Sequence, residues 1–134
     1  KMYYELGGYD LSNYKSAVIA LKNAQIDFPD IKYAEEMDLL IVKSQFEYAK
    51  ASYEFRQEER YTEAITYADE FLENHPESKL AGEVQSLKKD SEKGIANAKQ
   101  VLATQEEQVA KYKANLQKEA QKDSINKVIK TPIK

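Results

Sequence analysis

The sequence predicts an all-α fold in which pairs of helices stack on one another, and three observations support this. Four Gly and three Pro among 134 residues, with abundant Ala, Glu, Lys, Leu and Gln, are typical of helices rather than sheets. Apolar residues recur at the three- and four-residue spacing of a helix face. Six residues also recur after 47 positions, since Tyr14, Ala17, Pro29, Lys32, Ala34 and Glu36 correspond to Tyr61, Ala64, Pro76, Lys79, Ala81 and Glu83.

The repeat predicts the architecture. Two unrelated stretches as long as Tyr14 to Glu36 would share roughly one or two identities, so six are not expected by chance. A two-helix unit cannot bury its apolar face alone, so neighbouring units stack into a superhelix with a broad surface for other proteins. The repeat therefore favours a binding function over catalysis, and we predict that the chain is not an enzyme.

About five helices are predicted. The first ends at Gly7-Gly8, because glycine tolerates the left-handed backbone of a helix end. After a loop at Asp10 to Asn13, the second runs to about Phe28, where Pro29 ends it. The fourth repeats the second, with His75 in place of Phe28. Their inward stripes are Tyr14, Ala17, Val18, Leu21, Ala24 and Phe28 in the second helix, and Tyr61, Ala64, Ile65, Ala68, Phe71 and His75 in the fourth.

The third helix, about Ile31 to Gln57, carries two apolar stripes, whose mean directions differ by roughly 160° at 100° per residue. We expect an interior helix of a stack, packed on both sides. One stripe comprises Met37, Ile41, Tyr48, Ala51 and Phe55, and the other Leu39, Val42, Phe46, Ala49 and Tyr53. The narrower polar flank between them is a candidate groove for a partner, lined by Asp38, Gln45, Ser52 and Arg56.

The fifth helix is capped by Ser78 and resumes an apolar, heptad-like stripe after the polar segment Lys88 to Gly94. One long helix to about Lys122 is the preferred interpretation, and an antiparallel hairpin folded at Ser91 to Gly94 is the alternative. Gly94 is either a hinge or an ordinary helical glycine. The resulting organisation has repeats over residues 1–87, a helical extension over 88–122 and a basic tail over 123–134.

Composition limits the chemistry. The chain has no cysteine and a single histidine, His75, whose place at a repeat junction favours packing or capping. The adjacent carboxylates, such as Glu106-Glu107, point apart on a helix and predict solvated faces. We therefore predict no catalytic residue, no metal and no cofactor. Residues 111–134 carry seven basic and two acidic residues but a single aromatic one, so a solvated helix end is favoured over a nucleic-acid or lipid contact.

Five segments carry a family resemblance. Tyr-x-x-Ala, followed after eleven intervening residues by Pro-[Asp/Glu] between paired helices, resembles the tetratricopeptide repeat. A standard unit has about 34 residues, and the excess here lengthens the third helix. The amino-acid sequence of residues 4–83 is similar to that of the C-terminal half of the BamD family of outer-membrane assembly lipoproteins. The similar segments are Asn13-Tyr14-Lys15-Ser16-Ala17, Asp27-Phe28-Pro29-Asp30, Lys43-Ser44, Glu59-Arg60-Tyr61-Thr62-Glu63-Ala64 and His75-Pro76-Glu77-Ser78-Lys79.

This resemblance implies a non-enzymatic scaffold of the machinery that inserts β-barrels into the outer membrane. It implies a location at the periplasmic face of that membrane, a lipid anchor upstream of this chain, and docking to POTRA-type domains of the barrel-forming subunit. The alternative is another tetratricopeptide-type interaction module, either a cell-envelope coordinator or a co-chaperone.

No contact residue is carried over from the family. Because tyrosine is enriched at protein interfaces, Tyr9 and Tyr67 join Asp38, Gln45, Ser52 and Arg56 as predicted partner-binding residues.

Overall fold

The computed structural model describes residues 11–27 and 33–130, which form four helices and no strand. These are α1 (Leu11–Asp27), α2 (Ala34–Lys50), α3 (Glu54–Asn74) and α4 (Ala81–Lys130). The all-α prediction is confirmed. Four helices replace the predicted five or so, and the helix predicted to end at Gly7-Gly8 lies outside the described residues. No helix within these ranges is long and apolar enough to cross a membrane.

The 47-residue repeat of the sequence recurs in the starts of two helices. Helix α2 begins at Ala34 and α4 begins at Ala81, 47 residues later. Ala34 and Ala81 are also one of the identical pairs of the repeat. The predicted end of the second helix at Phe28 and Pro29 lies outside the described residues.

Helix α2 packs on both sides, as predicted for an interior helix. Its Ile41 is buried against Val18 and Leu21 of α1, in a cluster that half-buried Met37 and Leu40 extend. On its other side, α2 enters the main core, whose buried members are Leu39 and Val42 of α2, Ala68 and Phe71 of α3, and Val84 of α4. The two predicted stripes are thus confirmed over the part of α2 that carries these residues.

The predicted length of this helix is wrong. Helix α2 ends at Lys50 and α3 begins at Glu54, so the predicted helix over Ile31 to Gln57 is divided by a tight turn. The Ser52 hydroxyl donates to the Tyr48 carbonyl oxygen at 2.5 Å, and Arg60 Nη1 donates to Ser52 Oγ at 2.6 Å. These contacts join the end of α2 to the first turns of α3. Three residues assigned to buried stripes, Ala51, Tyr53 and Phe55, are exposed as a result.

Helix α4 is continuous, so the hairpin alternative is wrong and the single long helix is confirmed; it continues past the predicted end at about Lys122 as far as Lys130, the last described residue. At its start, Ser78 Oγ accepts a hydrogen bond from the Leu80 N–H at 3.1 Å, in keeping with the predicted cap. The chain divides into two compact units, residues 1–99 and residues 100–134.

In the first unit, α4 buries one stripe, which includes Val84, Ser91 and Ala98. Lys88 and Lys89 occupy the positions that correspond, 47 residues on, to Ile41 and Val42 of α2. Lys88 donates to Asp69 Oδ1 of α3 at 2.7 Å, and this hydrogen bond raises the pKa of Lys88. Helix α4 therefore lacks the second apolar stripe that makes α2 an interior helix.

Two buried serines at equivalent repeat positions give a matched test. Ser44 is 0 % exposed and its hydroxyl has no hydrogen-bond partner, whereas Ser91 is 1 % exposed and donates to the Leu87 carbonyl oxygen at 2.8 Å. An unpaired buried hydroxyl costs about 1 to 3 kcal/mol. Ser44→Ala is expected to raise the free energy of unfolding by about 1 kcal/mol, measured by urea denaturation. Ser91→Ala, which removes a made bond, is expected to give no such gain; equal changes in the two variants would contradict the assignment.

Tyr61 gives a prediction at alkaline pH. Burial raises the pKa of its phenol above the ordinary 10.0, and the nearby Glu47 and Asp90 carboxylates raise it further. Above pH 10 the unfolded chain loses this proton while the folded chain retains it, so the free energy of unfolding falls as pH rises through the folded-state pKa. Below pH 10 the contribution is constant. A late step is therefore expected when tyrosine ionisation is followed by ultraviolet absorbance, and Tyr61→Phe is expected to remove that step while the earlier steps remain.

Candidate functional site

The predicted partner-binding residues are placed in three settings. Tyr9 lies outside the described residues. Asp38, Gln45 and Ser52 are brought together along one line, since each contacts α3 or the residue that follows it. Arg56 is exposed, and Tyr67 is half-buried against both core clusters.

Asp38 lies at one end of the contact between α2 and α3. Its Oδ2 is 2.7 Å from His75 Nε2, and its Oδ1 accepts a hydrogen bond from Gln25 of α1. The His75 ring also packs on Phe71, with the ring centroids 5.0 Å apart, and its backbone N–H donates to the Phe71 carbonyl oxygen at the end of α3. His75 thus packs and caps, as predicted from its position at the repeat junction.

Gln45 and Ser52 continue the same line. The buried Gln45 amide donates to the Arg60 carbonyl oxygen at 3.0 Å and to Glu63 Oε2 at 3.1 Å. Arg60 in turn donates to Ser52 and lies over the Tyr48 ring, with Cζ 4.2 Å from its centroid. The polar atoms of Asp38, Gln45 and Ser52 are therefore used between helices, and we interpret them as a polar seam that fixes how α2 and α3 pair.

Tyr67 is shared between packing and a charge contact. Its ring packs against both core clusters, and Lys22 Nζ of α1 lies 3.9 Å from the ring centroid. A cation over an aromatic face is attracted by the ring quadrupole. Tyr67 therefore joins α1 to α3.

An exposed aromatic group lies at the turn between α2 and α3. Tyr53 is 75 % exposed and Phe55 is 66 % exposed, although their rings stack with centroids 5.9 Å apart and planes inclined by 10°. Arg56 lies beside them, with Cζ 5.7 Å from the Phe55 centroid. We call Tyr53, Phe55 and Arg56 the aromatic turn. Aromatic residues and arginine are the types enriched at the energetic centres of protein interfaces.

The backbone of the aromatic turn is held in place. Tyr53 has an extended conformation, with φ −63° and ψ 149°, and its carbonyl oxygen accepts a hydrogen bond from the Arg56 N–H at 2.9 Å. Gln57 Nε2 donates to the Lys50 carbonyl oxygen at 3.2 Å, which ties the start of α3 to the end of α2. Arg56 also pairs with Glu59 at 3.6 Å on the exposed side of α3. The group is thus presented on a defined turn, which limits the entropy lost when it is covered.

Sequence reasoning found Arg56 but missed Tyr53 and Phe55, which it assigned to buried stripes. Both assignments depended on one helix continuing past Lys50. The signal available in the sequence was Ser52, a residue type that favours helix ends, followed by Glu54 in the first turn of the next helix. This signal for a helix end is weak, because neither glycine nor proline lies near Ser52.

The polar groups around His75 do not form a metal centre. No group of three His, Asp or Glu side chains within the described residues is placed to hold a metal ion. Glu35 lies 3.8 Å from His75 Nδ1 and accepts a hydrogen bond from the Ser78 hydroxyl at 2.9 Å, so Ser78 is not bonded to the histidine as a nucleophile–base pair requires. This cluster connects the starts of α2 and α4 with the end of α3.

Comparisons with known proteins leave the family open. No protein-family model matches the chain, and no curated protein matches it.

Proposed function

We propose that this chain is a non-enzymatic scaffold of the machinery that assembles β-barrel proteins in the outer membrane, with a tetratricopeptide-like superhelical arrangement of its helix pairs. In this proposal it acts at the periplasmic face of the membrane and docks a periplasmic domain of the barrel-forming subunit. Support comes from the five segments similar to the BamD family and from the starts of α2 and α4, which are separated by the same 47 residues as the sequence identities.

The aromatic turn is the observation that carries a docking role. Two stacked aromatic rings that are both mostly exposed contribute little to the stability of the isolated chain, yet they present a large apolar area to water. The adjacent Arg56 offers a guanidinium to a carboxylate or carbonyl of the partner. A complex that covers this group gains burial and charge-assisted hydrogen bonding at one place.

Affinity purification tests this proposal. The full-length protein, tagged and expressed in its own envelope, is expected to recover the barrel-forming subunit, and the double variant Tyr53→Ala/Phe55→Ala is expected to recover at least about tenfold less, as expected for loss of a binding hot spot. Ile26→Ala is the matched control, because Ile26 is a large exposed apolar residue on α1, away from the turn. Circular dichroism of both variants is expected to match that of the unmodified chain.

Two outcomes decide against the proposal. Repeated absence of the barrel-forming subunit from the purified material contradicts the assignment to this machinery. Equal recovery with the double variant and with Ile26→Ala contradicts docking through the aromatic turn. Reproducible recovery of a cell-envelope coordinator complex or a chaperone, lost with the double variant, instead supports another interaction module of the same repeat type.

A further inference from the structure

The second compact unit, residues 100–134, presents an uncovered apolar stripe. Within α4, Leu102, Val109 and Leu116 are separated by seven residues each, and Tyr112 lies three residues after Val109. Val109, Tyr112 and Leu116 are all exposed. This spacing is typical of the narrow apolar seam of a two-stranded coiled coil. A helix packed into a globular core has a wider apolar face.

A shallow groove runs along this seam, and its lining includes one acidic and one basic residue. Its lining comprises Leu102, Gln105, Glu106, Val109, Ala110 and Lys113. Glu106 and Lys113 lie on either side of Val109 and Ala110, and neither is in an ion pair within the described residues. A surface that carries an acid and a base on opposite sides of one point is complementary to itself about a twofold axis through that point.

We propose that this groove binds the same groove of a second copy of the chain, with the two α4 helices antiparallel and the twofold axis near Val109 and Ala110. In this register Glu106 of each copy faces Lys113 of the other, so two opposite-charge pairs flank the seam. In a parallel pair the same two positions face Val101 and Gln108, which carry no charge. The charges therefore select the antiparallel arrangement.

The distribution of the remaining lysines agrees with a second copy as occupant. Lys111, Lys118 and Lys122 lie on the side of α4 opposite the seam, where they stay solvated in the dimer. A helix that lies in a membrane surface needs a broad apolar face. The seam here is one residue wide with polar Gln105 and Glu119 in its line, so the membrane surface is the less favoured occupant.

Charge exchange in the full chain tests the proposal by sedimentation equilibrium. Glu106→Lys and Lys113→Glu are each expected to weaken self-association at least about tenfold, because each converts two attractive pairs into two repulsive ones. The double variant Glu106→Lys/Lys113→Glu is expected to restore association, and an equimolar mixture of the two single variants is expected to form a heterodimer. Glu107→Lys is the control, since it makes the same charge change away from the seam.

Crosslinking distinguishes the orientation. The chain has no cysteine, so single cysteines report without background. In the antiparallel register, Val109→Cys lies close to its own counterpart and is expected to form a disulfide on oxidation. The two copies of Leu116→Cys lie roughly 20 Å apart along the helix axis and are not expected to form one. Both positions are exposed, so the substitutions do not disturb a buried core.

A chain that remains monomeric up to about 0.5 mM overturns the proposal. Equal crosslinking of the two cysteine variants also overturns it, as does equal weakening by Glu106→Lys and Glu107→Lys. Co-sedimentation of the monomer with anionic phospholipid vesicles, lost with Leu116→Lys, would assign the seam to a membrane surface instead. The recovery of a barrel-forming subunit plays no part in these measurements, so this proposal and the proposed function fail independently.

Discussion

Replacing Phe71 with alanine is expected to lower the free energy of unfolding by about 3 to 5 kcal/mol, which is a large effect for a single substitution. Phe71 is 1 % exposed and packs with Val42 of α2 and Val84 of α4, so it joins three helices. Removing its ring deletes buried apolar area and leaves a cavity. The three helices around this cavity cannot close it, because their other contacts hold them in place. Because a domain of this kind is stabilised by about 5 to 15 kcal/mol, much of the native population is expected to be lost.

Urea denaturation followed by circular dichroism measures this effect, and Phe55 supplies the control. Phe55→Ala removes the same ring from a mostly exposed position and is expected to change the free energy of unfolding by less than about 0.5 kcal/mol. Phe71→Leu, which retains much of the volume, is expected to cost less than Phe71→Ala. Similar losses for Phe71→Ala and Phe55→Ala would show that Phe71 is not at the centre of the core.

Replacing Gly94 with alanine is expected to lower the free energy of unfolding by about 1 to 2 kcal/mol, although alanine is the better helix former. A Cβ atom at Gly94 would lie 2.5 Å from Cζ and 2.9 Å from Cδ2 of the buried Tyr61 ring, closer than Cβ atoms are found in proteins. Relieving this overlap requires α3 and α4 to separate or the ring to leave its position. The overlap therefore outweighs the gain of about 1 kcal/mol in helix propensity.

Gly82 is the matched control in the same helix. Nothing lies within 4 Å of a Cβ atom at Gly82, so Gly82→Ala is expected to raise the free energy of unfolding by about 0.5 to 1 kcal/mol. The two glycine variants thus differ in sign, which thermal and urea denaturation resolve. In a Tyr61→Leu background the penalty of Gly94→Ala is expected to shrink, because the shorter side chain leaves room. An undiminished penalty in that background would mean that contact with Tyr61 is not its cause.

The role of Gly94 illustrates what sequence reasoning leaves undecided. From the sequence, this residue is either a hinge or an ordinary helical glycine. It lies inside a continuous helix and has no positive φ, so it is not used for backbone freedom. Its function is to let a tyrosine of α3 approach the backbone of α4, and that requirement depends on a residue 33 positions away in the chain.

Most of the helical architecture was predictable because it follows from local periodicity. The stripes of α1 and α3 and the two-sided packing of α2 follow from the angular spacing of apolar residues. The continuity of α4 does not, because the apolar pattern is interrupted over Lys88 to Gly94 and a hairpin is an alternative there. The proline-bearing junction after α3 follows from the 47-residue recurrence. The end of α2 does not, because helix propensity and apolar periodicity both continue past Lys50, and the turn depends on contacts of Ser52 and Arg60 between two helices.

In the candidate site, too, local periodicity predicted some features, and contacts between helices decided the others. The predicted polar flank of Asp38, Gln45, Ser52 and Arg56 is divided in the structure. The polar groups of Asp38, Gln45 and Ser52 have intramolecular partners on or next to α3, whereas Arg56 is exposed. Tyr53 and Phe55 were assigned to the core, but they are exposed because the chain turns before them. Because α2 ends a few residues earlier than predicted, a segment assigned to the core is exposed instead.

The sequence by itself determined that the chain is helical, which residues repeat and which helix packs on both sides, because these properties depend on composition and on periods of a few residues. Tertiary structure decided where α2 ends and the chain turns, why residue 94 must be glycine, and which aromatic residues face water. Each of these depends on a partner side chain distant in sequence, and no local pattern records the distance between two helices. At the aromatic turn, these contacts are the ones that Ser52 makes with Tyr48 and Arg60 and that Arg60 makes with the Tyr48 ring.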